Sequence, residues 1–351
     1  MKYLYALLIL VPIALVLDLA DIGGHSAVFV TSAGAMIPLA AILGRATEEV
    51  AIFTGPKIGA LLNATLGNAA ELIITLVALN AGLVTVVKAS IAGSIIGNVL
   101  VVLGFSVFLG GLKNGTQTFD QRAAGANATM MSLAVLALLI PALFSLPHGG
   151  ERISLHNVKL LSDGVAIVMI AIYVLYLVFS LRGTSPAERD QEQETHTPSM
   201  RLSTAIGLLA GATVAIVVMS EVLVGAVEPT AEEWGLSELF IGVMLIPLIG
   251  NVAEHLVAVQ VAIANKMDLS LGIAVGSGLQ VALFVTPVLV FAGILMDEPM
   301  TLVFNTFELA ALVAAVFISV LISMDGESHW LEGAELIALY LILGLAFYFV
   351  P

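Results

Sequence analysis

Eleven stretches of this chain stay apolar for the length of a membrane crossing. Their approximate limits are 2–17, 25–44, 61–81, 84–111, 123–146, 160–181, 202–227, 237–264, 269–295, 302–323 and 331–350. A helix of about 20 apolar residues matches a hydrocarbon core of about 30 Å. Lipid offers no partner to backbone N–H and C=O groups, so only helices and closed barrels can cross it. Continuous apolar runs, rather than alternating ones, predict helices. The expected fold class is all-α: a polytopic membrane protein with about eleven transmembrane helices. Composition agrees, with 60% apolar and 11% charged residues, against roughly 45–50% and 25% in soluble domains. That excludes a soluble enzyme. A net charge of −14 argues against nucleic-acid binding and for enrichment of cations near the surface. Absence of cysteine excludes disulfides, thiolate metal sites and cysteine nucleophiles.

The most polar stretch, 182–201, carries Glu188, Asp190, Glu192 and Glu194 and divides the chain near its middle. The expected organisation is a leading transmembrane helix (1–24), a first five-helix repeat (25–181), an acidic linker (182–201) and a second five-helix repeat (202–351). The leading run lacks a small-residue cleavage site and reads as a retained helix. Counting Lys and Arg gives nine on the N-terminal side (Lys2, Arg45, Lys57, Lys113, Arg122, Arg182, Arg189, Arg201, Lys266) and three on the other (Lys88, Arg152, Lys159). Positive charge stays inside, so the N-terminus and linker are expected in the cytoplasm and the C-terminus outside.

The two halves repeat. Gly67-Asn68-Ala69-Ala70-Glu71 matches Gly250-Asn251-Val252-Ala253-Glu254 at an offset of 183, and nine positions between 64 and 104 are identical to their partners. Glu71 and Glu254 lie five spans apart, an odd number, so their helices run in opposite directions. This is an inverted-topology repeat, the usual architecture of a transporter with its site at mid-membrane.

A carboxylate at the bilayer centre costs about 2.5–3.5 kcal/mol even on insertion scales. Glu71 and Glu254 together can hold one divalent cation or two protons, and either state is neutral. Exchange between those states is a mechanism for metal/proton antiport. Asn68 and Asn251 precede the acids by three residues and share their helix face. They supply oxygens to a hard cation, or cap broken helices. Gly67, Gly250 and Pro247 are expected to open their helices and free carbonyls. Ser94 with Asn98, and Ser277 with Gln280, are candidates for orienting the carboxylates or bonding neighbouring helices. His255, rotated about 100° from Glu254, is a candidate proton relay or a neutral, carbonyl-bonded group. Glu221 and Glu48 are candidate acids along a cation path, with an interfacial position the alternative for Glu48.

These motifs resemble the two signature repeats of the cation/proton exchangers, within the cation/Ca²⁺ exchanger superfamily. The following segments, Gly93-Ser-Ile-Ile-Gly-Asn98 and Gly276-Ser-Gly-Leu-Gln280, match as well, and the resemblance covers nearly the whole chain. It implies Ca²⁺/H⁺ antiport, with Glu71 and Glu254 as alternating Ca²⁺ and proton sites and no cofactor. Its partners are then Ca²⁺, H⁺ and membrane lipid, with a homo-oligomer left open. The chain lacks the long N-terminal tail of plant and fungal members, which favours a prokaryotic plasma membrane. Exchange of Na⁺ or another divalent metal stays open on the residues alone. An intramembrane metalloenzyme would need a motif such as His-Glu-x-x-His, and none occurs. Inverted repeats with paired protonatable acids argue against a channel.

Overall fold

Apolar helices joined by short turns make up nearly all of the computed structural model, which describes residues 5–147, 153–182 and 198–350. They are α1 (Leu7–Ala20), α2 (Gly24–Thr54), α3 (Pro56–Leu66), α4 (Ala69–Asn80), α5 (Val84–Asn114), α6 (Gln121–Ser145) and α7 (Leu155–Arg182). After the linker come α8 (Leu202–Gly225), α9 (Val227–Trp234), α10 (238–263), α11 (Met267–Leu295), α12 (Thr306–Ile322) and α13 (Trp330–Phe349). Most of the acidic linker, including Glu188, Asp190, Glu192 and Glu194, lies outside the described residues.

Among the described residues, seven helices are long and apolar enough to cross a membrane singly. Two helix pairs qualify together but are bent, α3 with α4 by 41° and α9 with the start of α10 by 116°. Shorter apolar helices include α1 and α12.

Local chemistry explains the breaks. The α3–α4 bend falls at Gly67-Asn68, as the sequence predicts. The second half differs: Gly250 and Asn251 stay inside a continuous helix. Its irregularity is displaced to a π-helical turn at Ile241–Leu245, just ahead of Pro247. Proline has no N–H and crowds the carbonyl four residues back, and the wider turn accommodates both. The same device precedes Pro287, where a π turn spans Val281–Val285 and the Thr286 hydroxyl donates to the Val281 carbonyl at 2.8 Å. A third π turn, Gly97–Val102, occupies the position related to it by the 183-residue offset.

The helices bury two apolar clusters. One is built around α5, α6, α10, α11 and α12, the other around α1, α2, α4 and α8. One feature escapes an apolar-run reading: Gln117–Thr118 pairs antiparallel with Glu327–Ser328, joining the α5–α6 and α12–α13 turns. These turns lie on the face where the linker enters α8, called the linker face below.

Candidate cation site

Four elements converge at the centre: the α3–α4 break, α5, α10 and α11. Asn68 and Glu71 start α4, Ser94 and Asn98 lie on α5, Asn251 and Glu254 on α10, and Ser277 and Gln280 on α11. The break at Gly67-Asn68 puts Glu71 in the first turn of α4, where the helix dipole favours negative charge.

The halves interlock through their glycines. A methyl group on Gly250 would stand 3.4 Å from Glu71 Cγ, and one on Gly67 would stand 3.4 Å from Gln280 Oε1 and 3.7 Å from Glu254 Oε1. Each carboxylate therefore lies against the opposite half's glycine.

The amide and hydroxyl groups form a network across the halves. Asn68 Nδ2 donates to Gln280 Oε1 at 2.6 Å, and the Ser277 hydroxyl donates to Asn68 Oδ1 at 2.8 Å. Asn98 Nδ2 donates to Ser277 Oγ at 3.1 Å. The pseudo-symmetric contact is looser, with Asn251 Nδ2 at 3.5 Å from Ser94 Oγ. Asn68 is thus engaged through both ends of its amide. It caps α4 by position, yet its side chain makes no bond to that helix.

Four buried oxygens in this network have no hydrogen-bond partner: Glu71 Oε1, Glu254 Oε2, Asn251 Oδ1 and Asn98 Oδ1. Unpaired buried acceptors are costly. Two carboxylate oxygens and an amide carbonyl form a hard, all-oxygen donor set. Such a set suits a cation of the Ca²⁺ type, and its two negative charges match one divalent ion or two protons. Among the described residues no group of three or more His, Asp or Glu side chains converges. The acid count at the centre stays at two.

The remaining candidates are dispersed. His255 is half-buried beside Glu254, with its Nε2 buried and unpartnered. Glu221 is exposed and lines a cavity of about 480 Å³ with Asn80 and Glu228 on the face opposite the linker. Glu48 is exposed near the linker-face end of α2, and it is Glu49 that turns inward, against Ser199. Helical spacing contains that signal: Glu49 continues the buried row of Leu43 and Ala46, whereas Glu48 follows the exposed Arg45. A second buried acid, Glu308, accepts the Asn305 N–H at 2.7 Å, near the half-buried Lys88. It belongs to a capping box, a pattern readable as Asn305-x-x-Glu308.

Packing around the site is asymmetric between the halves. Gly242 of α10 presses on α5, where an added methyl would meet Ala89 Cβ at 2.5 Å, and a methyl added to Gly93 of α5 would fall 2.1 Å from the Val243 carbonyl oxygen. The repeat partner of Gly242 is Gly59 of α3. It presses instead on α2, where a methyl would fall 2.7 Å from the Ala51 carbonyl oxygen, and Gly276, partner of Gly93, faces open space. On the linker-face half α3 and α11 make no such close approach at these positions, whereas on the opposite half α10 and α5 do.

Known proteins resemble this chain along nearly its whole length. The family model described as sodium/calcium exchanger protein matches residues 25–182 and 204–349. The chain is 46% identical to a Ca²⁺/H⁺ antiporter of Aphanothece halophytica, covering 99% of this chain and 96% of that one. It is 47% identical to a Ca²⁺/H⁺ antiporter of Synechocystis, covering 93% and 92%. The solved structure of native YfkE superposes with a TM-score of 0.86 at 39% identity, covering 99% of this chain and all of that one. With its apolar helices, paired central carboxylates and matched halves, the chain belongs to the sodium/calcium exchanger protein family, whose members are membrane antiporters and not enzymes.

Proposed function

We propose that this protein exchanges Ca²⁺ for H⁺ by alternating access, with Glu71 and Glu254 binding either the cation or protons. The observation that carries this reading is the convergence of the two carboxylates from opposite halves on one buried spot, each with an unpaired oxygen. The names of the bacterial relatives support the ion pair. Ca²⁺ is the cargo, held by Glu71, Glu254 and the Asn251 carbonyl oxygen. Asn68 is held by Ser277 and Gln280 in this state and rotates in only when those bonds break. Ser94 and Asn98 orient the same groups, and His255, Glu221 and Glu48 stand along the routes to them.

Eleven spans follow from counting α3–α4 and α8–α9 as one each and adding α1, α2, α5, α6, α7, α10, α11, α12 and α13. The halves 25–181 and 202–351 are inverted repeats. The N-terminus and linker lie in the cytoplasm of a prokaryotic plasma membrane and the C-terminus outside, in line with the Lys/Arg bias. The side where α3 and α11 make no close approach then faces the cytoplasm. Closing it while parting α10 from α5 exposes the site to the other side.

The test is uptake of ⁴⁵Ca into vesicles with an imposed acid-inside gradient. Glu71→Gln and Glu254→Gln each abolish uptake, because glutamine keeps the shape but neither takes up a proton nor neutralises a cation. Near-normal uptake by either variant refutes the two-carboxylate mechanism. Replacing the pH gradient with a Na⁺ gradient separates proton from sodium coupling.

A further inference from the structure

The break at Gly67-Asn68 strands a backbone carbonyl. The Gly67 N–H still reaches the Asn63 carbonyl, at 2.9 Å, but α3 ends at Leu66. The next carbonyl, that of Ala64, therefore loses the Asn68 N–H that an unbroken helix brings to it. The Tyr173 hydroxyl of α7 donates to it instead, at 2.9 Å. The Tyr173 ring is buried and stacks on Phe284, with ring centroids 5.6 Å apart and an interplanar angle of 27°. Phe284 lies in the π turn Val281–Val285 of α11, which begins directly after Gln280. One side chain thus touches both irregular segments that carry the amide network. Its two contacts bracket the Asn68–Gln280 bond, since Ala64 stands four residues before Asn68 and Phe284 four after Gln280. In the second half, Pro247 occupies the place of Ala64 at the 183-residue offset, and there the helix runs on through Gly250 and Asn251.

We propose that Tyr173 is a positioning residue of the cation site, keeping the α3–α4 break open so that Asn68 meets Gln280 and Ser277 and Glu71 starts α4. This rests on the two-carboxylate reading above. The Ala64 carbonyl has two possible donors. While it is bonded to Tyr173, the helix stays broken. Without that hydroxyl, the cheapest relief for a partly buried acceptor is to take the Asn68 N–H and wind the break up. Winding turns Asn68 away from Ser277 and Gln280 and carries Glu71 off the point it shares with Glu254. The stack on Phe284 fixes the other end of the brace. It ties the place of the hydroxyl to α11, the helix that carries Ser277 and Gln280. Tyr173 therefore acts on the ion through the backbone of α3 and the Asn68 amide, and not by direct contact.

A second tyrosine on the same helix supplies the control. The Tyr176 hydroxyl donates to Asn127 Oδ1 of α6 at 3.0 Å, so Tyr176→Phe deletes a matched bond that reaches neither irregular segment. Initial ⁴⁵Ca uptake into vesicles with an imposed acid-inside gradient is measured across Ca²⁺ concentrations, with folding of each variant checked by size exclusion. Tyr173→Phe is expected to raise the KM for Ca²⁺ about three- to tenfold, the size of one lost hydrogen bond, with the maximal rate kept within about twofold. Phe284→Leu, which keeps the hydroxyl and removes the stack, raises KM about two- to tenfold. Tyr176→Phe leaves KM unchanged. An unmodified KM in folded Tyr173→Phe or Phe284→Leu overturns the proposal. So does an equal rise in Tyr176→Phe, which would mean that loosening α7 anywhere has the same effect. A fall in maximal rate at unchanged KM overturns it too, because the hydroxyl would then serve movement and not the placing of the site. Glu71→Gln is run in parallel. Near-normal uptake by that variant defeats the two-carboxylate reading, a failure read in its own arm and distinct from an unshifted KM in Tyr173→Phe.

Discussion

Gly250 leaves room for no more than a methyl group against its neighbour across the pseudo-symmetry: an added Cβ would already touch Glu71 Cγ at 3.4 Å. A branched side chain would push that carboxylate off the point it shares with Glu254. Misplacing a reacting group by about 1 Å costs on the order of a hundredfold. Gly250→Val is therefore expected to lower ⁴⁵Ca uptake roughly ten- to a hundredfold while the protein still elutes as a single folded species on size exclusion. Uptake at the normal rate would show that Glu71 does not need its present position. Gln280 extends the same logic. Its counterpart in the first half is Gly97, so the bond from Asn68 to Gln280 has no symmetric twin. The pairing of serines was readable from the offset, but the unequal engagement of Asn68 and Asn251 was not.

Helix ends and helix crossings carry the stability of these elements. Asp120 caps α6, accepting the N–H groups of Arg122 at 2.7 Å and Ala123 at 3.0 Å. Those bonds, first that from Ala123, hold its carboxyl below its ordinary value of 3.8. A depressed folded pKa gives stability that is present above the unfolded value and lost as pH falls through the folded one. Asp120→Ala should cost about 1 kcal/mol at neutral pH, and the difference from the unmodified protein should vanish in acid below the carboxyl range. Thermal unfolding in detergent across pH measures both. At the crossing of α5 and α10, a methyl on Gly93 would lie 2.1 Å from the Val243 carbonyl and 2.6 Å from Pro247 Cγ. Backbone cannot yield as a flexible side chain does, so Gly93→Ala should destabilise the fold by about 1–3 kcal/mol, the range for overpacked cores. An unchanged melting temperature would contradict the close approach.

For the molecule as a whole, the proposed mechanism makes competition between Ca²⁺ and protons at one carboxylate pair set the pH response. Binding of the cation must release whatever protons the pair holds. Apparent Ca²⁺ affinity should fall about tenfold per unit of acidification if one proton is displaced, and about a hundredfold if two are. The pair titrates as a unit, so the slope reports the pair and not either residue. Calorimetry between pH 6 and 8.5, in buffers of differing ionisation enthalpy, reads the affinity and the released protons together. Flat affinity without proton release would place Ca²⁺ elsewhere or route protons separately, for example past Glu221 and His255.

Hydrophobicity determined the class, and the 183-residue self-match pointed to the residues on which the proposed chemistry rests. A chain this apolar has no soluble solution, and acids recurring inside spans are retained only for a use that offsets their cost. Most helix bounds followed to within a few residues because membrane thickness sets them, but α2 runs on to Thr54, past the end of its apolar run near 44; the break at Gly67-Asn68 followed because glycine and asparagine leave the helix readily. Tertiary structure decided what the repeat by itself hides. Two halves of similar sequence adopt unlike packings, so Gly242 presses on α5 while Gly59 presses on α2. No periodicity encodes that choice, because it depends on how the helices pack in three dimensions. The π turns before Pro247 and Pro287 depend on how a neighbouring helix lets the wider turn fit. Pairing of Gln117–Thr118 with Glu327–Ser328 joins turns some two hundred residues apart, a contact that only the closed fold creates. Glu49 meets Ser199 at the end of the linker, and Glu233 meets Ser26, for the same reason: sequence places a charge on a helix face, and folding chooses what it meets.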